Sequence, residues 1–227
     1  MRGKILTLDK TSRIARELKG HFEIVKFLKE MGSSVNSKNS IDETPLTIAA
    51  KSGHLEVVKL LIENKADFEY KNGNKANALY LACEFGHLEI VKFLIEIGAN
   101  IHCECTNDNI TPLACASVFG HTKVVELLLQ NGANVNCLES RNFTPLYGAS
   151  QNGHVGTAEL LIKYGADVNF QGTKVNHTAL HIASYNGHFE VVKLLLKHGA
   201  EVDCLREGGW TPLLMAINNE HTRVRMI

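Results

Sequence analysis

Net charge is the first thing the sequence lacks, because 24 lysines and arginines balance 24 aspartates and glutamates. A neutral chain has no bulk electrostatic pull toward nucleic acid or an anionic membrane, so neither is an expected partner. Long apolar runs are also missing. None approaches the roughly 20 residues that cross a bilayer. The opening MRGKILTLDKTSRIAREL is too charged for a secretory leader. The cysteines Cys83, Cys103, Cys105, Cys115, Cys137 and Cys204 do not form the spaced framework of a secreted disulfide protein. They read as reduced thiols, which predicts a cytoplasmic chain, with the nucleus as the alternative. There is no phosphate-binding G-x-x-x-x-G-K-[ST], no G-x-S-x-G nucleophile turn and no H-E-x-x-H zinc motif. Without them no catalytic residue is assigned, and the chain is expected to be no enzyme and to need no cofactor.

What is present is a repeat. Gly-His recurs at Gly20-His21, Gly53-His54, Gly86-His87, Gly120-His121, Gly153-His154 and Gly187-His188, and Glu220-His221 continues the series. Successive histidines stand 33 or 34 residues apart. A second marker keeps the same step: Thr44-Pro45-Leu46, Asn77-Ala78-Leu79, Thr111-Pro112-Leu113, Thr144-Pro145-Leu146, Thr178-Ala179-Leu180 and Thr211-Pro212-Leu213. A third, Gly-Ala, falls at Gly98, Gly132, Gly165 and Gly199.

The segment from Asn39 to Phe68 shows why these residues recur. Thr44 is a good helix N-cap, and Pro45 has its φ already set for the first helical position. Leu46, Ile48, Ala49 and Ala50 make a short helix with small residues on one side, so a neighbour can approach closely. Gly53 ends it in the left-handed conformation. Leu55 to Ile62 has apolar residues at helical spacing and predicts a second, antiparallel helix. Lys65 stands where later units have glycine. If its φ is positive, the turn is strained by about 1 kcal/mol.

The period and the T-P-L-H-x-A pattern resemble the ankyrin repeat over nearly the whole chain. The resemblance implies an all-α repeat solenoid of stacked helix-turn-helix units with β-hairpin loops, monomeric and acting as a scaffold for a protein or peptide partner. It also implies a concave groove lined by hairpin tips and first helices. Residues 1–37 read as a degenerate N-terminal cap, with Arg13 and Arg16 near positions that are Leu46 and Ala49 one unit later. Five full repeats follow over 38–204. Residues 205–227 form a partial repeat, with Arg225 where Val58 sits, so a larger parent protein is an open reading.

The Gly-His histidines invite a metal reading, but their period puts them too far apart to share an ion bound at roughly 2 Å. They read as turn residues bonded to backbone. His181 completes the one T-x-L-H, and the resemblance gives it the role of tying turns together. His102-Cys103-x-Cys105 is a local cluster of soft ligands without a second pair at zinc-finger spacing, so no metal is assigned.

A recognition surface is read by subtraction, since residues the repeat does not fix are free to specify a partner. Before each Gly-His stand Lys51-Ser52, Glu84-Phe85, Val118-Phe119, Gln151-Asn152, Tyr185-Asn186 and Asn218-Asn219. Phe85 and Phe119 hold the same position in adjacent repeats, which predicts that they lie side by side with Val118 and Glu84 flanking them. The residue before each Thr is Glu43, Ala76, Ile110, Phe143, His177 and Trp210. Exposed aromatics are common anchors of protein interfaces. The predicted partner site is therefore Phe85, Phe119, Val118, Glu84, Ile110, Phe143, Tyr185 and Trp210, with Arg141 among tips of mixed charge. The two 34-residue repeats place their extra residue between Gly98 and Thr111 and between Gly165 and Thr178, on the hairpin side.

Asn136 and Asn169 resemble hairpin asparagines modified by the animal asparaginyl hydroxylase, with Leu128 and Leu161 eight residues earlier. Asparagine also simply suits the turn. Two other functions stay open: a regulatory or targeting ankyrin domain of a larger enzyme or channel, and a small-ligand or nucleotide-binding domain using Lys51 and Lys75.

Overall fold

The computed structural model describes residues 22–172 and 176–219. Arg13, Arg16, Lys174 and Arg225, with the Gly-His markers at 20–21 and His221, lie outside the described residues. The chain divides into two compact units, Met1–Asn107 and Asp108–Ile227. The first contains α1 (Phe22–Glu30), α2 (Pro45–Ser52), α3 (Leu55–Glu63), α4 (Ala78–Glu84) and α5 (Leu88–Glu96). The second contains α6 (Pro112–Val118), α7 (Thr122–Gln130), α8 (Pro145–Gln151), α9 (Val155–Lys163), α10 (Ala179–Tyr185), α11 (Phe189–Lys197) and α12 (Pro212–Asn218).

Each first helix starts the same way. The side chains of Thr44, Asn77, Thr111, Thr144, Thr178 and Thr211 accept the backbone N–H three residues on. One orphan donor is thereby satisfied at every helix start. Asn77 does this in a repeat without the threonine. Gly53 ends α2 at φ 79. In the second helices Leu61, Leu94, Leu128, Leu161 and Leu195 hold the same register and are all fully buried. The first helices bury alanine at the facing positions, among them Ala49, Ala82, Ala116, Ala149 and Ala183, each 0% exposed.

Small residues let helices stack closely. In the first unit α2 packs on α4, and α3 touches both α1 and α5. In the second unit α6, α8, α10 and α12 form one row, and α7, α9 and α11 form another. No unit buries its face alone, so stability is a sum of unit and neighbour terms.

Side-chain rungs tie successive repeats together. The imidazole Nε2 of His87 donates to the carbonyl of Lys51 at 2.9 Å. His154 reaches Val118 at 3.0 Å and His188 reaches Gln151 at 2.9 Å in the same way. The turn histidines thus bond backbone, as expected, and the backbone is that of the preceding repeat. On the other side of each unit, Asn136 donates to the Gly165 carbonyl and accepts from Asp167 N–H. Asn169 repeats this with Gly199 and Glu201, and Asn36 with Lys65 and Asp67.

The expected β-hairpins are reduced to their closing bonds. Among the described residues there is no strand, and Arg206 and Trp210 form an isolated antiparallel bridge. Each tip closes by an N–H···O=C bond from Asn39 to Glu43, Asn72 to Ala76, Glu139 to Phe143 and Arg206 to Trp210, with a second turn bond inside it from Asp42, Lys75, Asn142 and Gly209 back to the first residue. Ladders do not extend because the chain enters a helix N-cap directly after each paired residue, at Thr44, Asn77, Thr144 and Thr211. In the last 34-residue repeat the closing bond runs from Gly172 to His177, one residue wider.

Lys65 has φ 66, where Gly98, Gly132, Gly165 and Gly199 have φ between 85 and 91. A Lys65→Gly variant is expected to be more stable by about 0.5–1 kcal/mol, because the left-handed strain outweighs the added flexibility of the unfolded chain. Urea unfolding checks it, and a lower midpoint would refute it.

Candidate partner-binding surface

The residue before each Gly is a different structural part in different repeats. In the second unit Asn152 Nδ2 donates to the Val118 carbonyl at 2.9 Å, Asn186 to Gln151 at 2.7 Å and Asn219 to Tyr185 at 2.8 Å. Asparagine here adds a rung to the preceding repeat. Phenylalanine has no such donor. Phe85 caps α4 and is 45% exposed, and Phe119 caps α6 and is 49% exposed. Each lies loosely stacked on the histidine two residues later, at 6.4 Å for His87 and 6.2 Å for His121. Lys51 Nζ stands 5.7 Å from the Phe85 ring centre. Phe85 belongs to the first unit and Phe119 to the second, and both stand exposed at the same repeat position.

The flanking residues differ in burial. Glu84 is half-buried, and burial raises its carboxyl above the ordinary range while Lys51 pulls it back. Val118 is half-buried because its side chain fills the space beside Gly148, where a Cβ would stand 2.7 Å from Val118 Cγ2. Tyr185 is exposed at the end of α10. Arg141 is exposed and pairs with Asp108 at 3.4 Å. Ile110 is half-buried at a tip.

Phe143 and Trp210 are half-buried rather than free. Phe143 lies flat on Tyr147, centroids 4.0 Å apart and planes 4° from parallel. Tyr147 stacks on His177, and His177 on His181 at 5.8 Å. This ladder joins two consecutive repeats of the second unit. His181 is fully buried; Nδ1 sits 2.9 Å from the Thr178 hydroxyl and Nε2–H donates to the Trp210 carbonyl at 3.1 Å. It ties two turns together, the role that the family resemblance implied.

Arg206 Nη1 donates to His177 Nε2. Because arginine is only a donor, that nitrogen is the acceptor, and the ring proton sits on Nδ1 facing the Tyr147 hydroxyl at 3.4 Å. Burial, then the charges of Arg206 and His181, push His177 down to about 4. Burial raises the Tyr147 phenol to about 12. A histidine that resists protonation when folded makes the unfolded chain bind more protons between about pH 4 and 6.5. Stability therefore rises with pH across that window and is complete above it. His54 and His181 are also held down by burial and act with the same sign. A His177→Gln variant, which keeps an acceptor for Arg206, is expected to remove roughly 1 kcal/mol of the gain between pH 5 and 7, after allowance for solvent screening. Urea midpoints at the two pH values check this. An unchanged slope would assign it to the other histidines.

The soft-ligand cluster separates. Cys103 and Cys105 are buried with sulfurs 3.4 Å apart, and Cys105 S–H donates to Asn77 Oδ1 at 3.8 Å, whereas His102 is exposed. The contact with Cys105, and then burial, hold the Cys103 thiol up. Among the described residues no three His, Cys, Asp or Glu side chains are grouped to hold a metal.

Paired antiparallel helices, stacked with their neighbours through capped turns at a step of 33 or 34 residues, define an all-α repeat solenoid. The family model for ankyrin repeats, in its three-copy form, matches residues 13–105, 97–172 and 170–227. The chain belongs to the ankyrin-repeat family, whose repeats are generally non-catalytic modules of protein–protein interaction. No curated protein matches it. Among the described residues no helix is long and apolar enough to cross a membrane.

Proposed function

We propose that the chain is a non-catalytic, monomeric scaffold that binds a protein or extended peptide on its first helices and hairpin tips. Phe85 and Phe119 act as anchors, with Glu84, Val118, Ile110, Arg141, Phe143, Tyr185 and Trp210 forming the surrounding contacts. One observation supports this reading above the others. At the position where three sister repeats use asparagine to bond the preceding repeat, these two repeats present an exposed phenyl ring instead. A residue that gives up a stacking bond and leaves apolar surface in water has no folding reason to be there. The six cysteines are all free and five are buried, which fits a reducing compartment, the cytoplasm or nucleus.

The test is hydrogen exchange of the chain with a peptide selected for binding to it. Added protection is expected around residues 84–86, 117–119 and 184–186 and at the tips. Protection confined to the second helices would place the partner on the opposite side and refute the reading.

A further inference from the structure

In the second unit α10, α12 and the tip that joins Cys204 to Thr211 enclose an open cavity of about 330 Å³. Its walls include His177, Tyr185, Trp210, Met215 and Asn218, and its charged group is Arg206. The tip puts Arg206 there. Gly208 and Gly209 both have positive φ, which lets the chain turn so tightly that Arg206 and Trp210 become bridged neighbours on one face.

The guanidinium is held but not neutralised. Nη1 is fixed by His177, and Cζ stands 5.8 Å from the Trp210 ring centre. His177 offers a lone pair and no negative charge. Among the described residues Arg206 has no carboxylate partner, and its Nε–H is buried without an acceptor. A half-buried cation lacking a counter-ion, with a buried donor unmet, is costly to the folded chain and is relieved by an anion. With Nη1 occupied, Nε and Nη2 remain as one edge, the side-on fork that matches a planar carboxylate with two parallel bonds. Because Nε is buried, a carboxylate reaches this edge only when the side chain turns it toward the cavity. Indole and phenol beside it suit an apolar neighbour on the same ligand.

We propose that this cavity takes the carboxylate of an acidic side chain in an extended peptide partner, clamped by Arg206 and seated against Trp210 and Tyr185. The proposal rests on the reading that the chain binds a peptide and names what one part of that peptide must be.

The test uses the full chain as bait for random 12-residue peptides displayed with no free C-terminus, with a free-C-terminus library as a second arm. Enrichment of Asp or Glu at one fixed position beside an apolar residue is expected. Changing that Glu to Gln should weaken binding tenfold or more. Arg206→Met, which keeps the aliphatic stem on Trp210, should cause a similar loss, and the two losses should not add. Arg206→Lys keeps the charge without the fork and should fall between; it also serves if Arg206→Met proves unfolded. Binders that instead need a free C-terminus, and lose affinity on amidation and on Arg206→Met alike, would keep the carboxylate and move its source to the chain end. Binders with neither feature, or a Glu-to-Gln loss that persists in full in Arg206→Met, would overturn the proposal. No binder to any form would overturn the peptide-binding reading itself.

Discussion

Replacing Gly120 by alanine is expected to cost the folded chain about 3 kcal/mol, while the same change at Gly132 costs about 1 kcal/mol. Both glycines are left-handed, with φ 72 and 87. The strain of adding a Cβ in that region is therefore common to both, about 1 kcal/mol. Their surroundings are not common. Nothing lies within 4 Å of a Cβ at Gly132. At Gly120 it would stand 2.5 Å from Nδ1 and 2.6 Å from Cγ of His154. That ring cannot simply withdraw, because its Nε2–H holds the Val118 carbonyl at 3.0 Å. Moving it leaves the imidazole short of its partner, although the Val118 carbonyl keeps the Asn152 amide, and this adds about 1 kcal/mol to the overpacking itself. Gly53 beneath His87 and Gly153 beneath His188 face the same conflict, at 2.7 and 2.6 Å. The check is urea unfolding of the two single variants and of Gly120→Ala with His154→Ala. The double variant should lose less than the sum, since removing the ring removes the clash. Equal losses at Gly120 and Gly132 would mean that backbone conformation alone explains the marker.

That conflict also explains what the sequence could and could not disclose. Gly-His reads as a helix stop followed by a turn residue, and the period makes it unmistakable. Its second meaning, that the glycine makes room for the next repeat's imidazole, joins Gly120 to His154 at a distance no local pattern spans. The caps were legible because the donor and acceptor lie three residues apart. Asn77 shows the rule is chemical, since an amide oxygen caps α4 as the threonine hydroxyls cap the other first helices. The hairpins were overread, because period and turn residues do not say how many bonded pairs a short connection can align. Exposed rings at Phe85 and Phe119 were found by comparing repeats. The ladder from Phe143 to His181 was not, because its members come from two repeats and vary in type. Arg206 carried no signal at all: nothing in the order of residues tells that a tip arginine folds inward onto His177.

A Phe85→Ala, Phe119→Ala double variant is expected to lose partner affinity by about thirtyfold or more, roughly 2 kcal/mol, while unfolding within about 1 kcal/mol of the parent. The binding loss follows from desolvation. An aromatic ring in a water-excluding contact contributes far more than its neighbours, and truncation to alanine removes nearly all of its surface. The small stability change follows from where the rings are. Each is about half in solvent, each caps its helix through backbone rather than side-chain bonds, and each meets its own histidine only at stacking distances above 6 Å. A second variant, Phe85→Asn with Phe119→Asn, separates the two roles. Asparagine is what Asn152, Asn186 and Asn219 use to bond the preceding repeat, so this form should be at least as stable as the alanine form and bind no better. Thermal unfolding of all three proteins, beside titration with the partner or a selected peptide, decides the matter. Undiminished binding in both variants would move the anchor to the Tyr185 and Trp210 end of the surface. Cooperative unfolding lost in the alanine form but kept in the asparagine form would show that the position serves stacking in every repeat, and that the rings are there to fold the chain rather than to hold a partner.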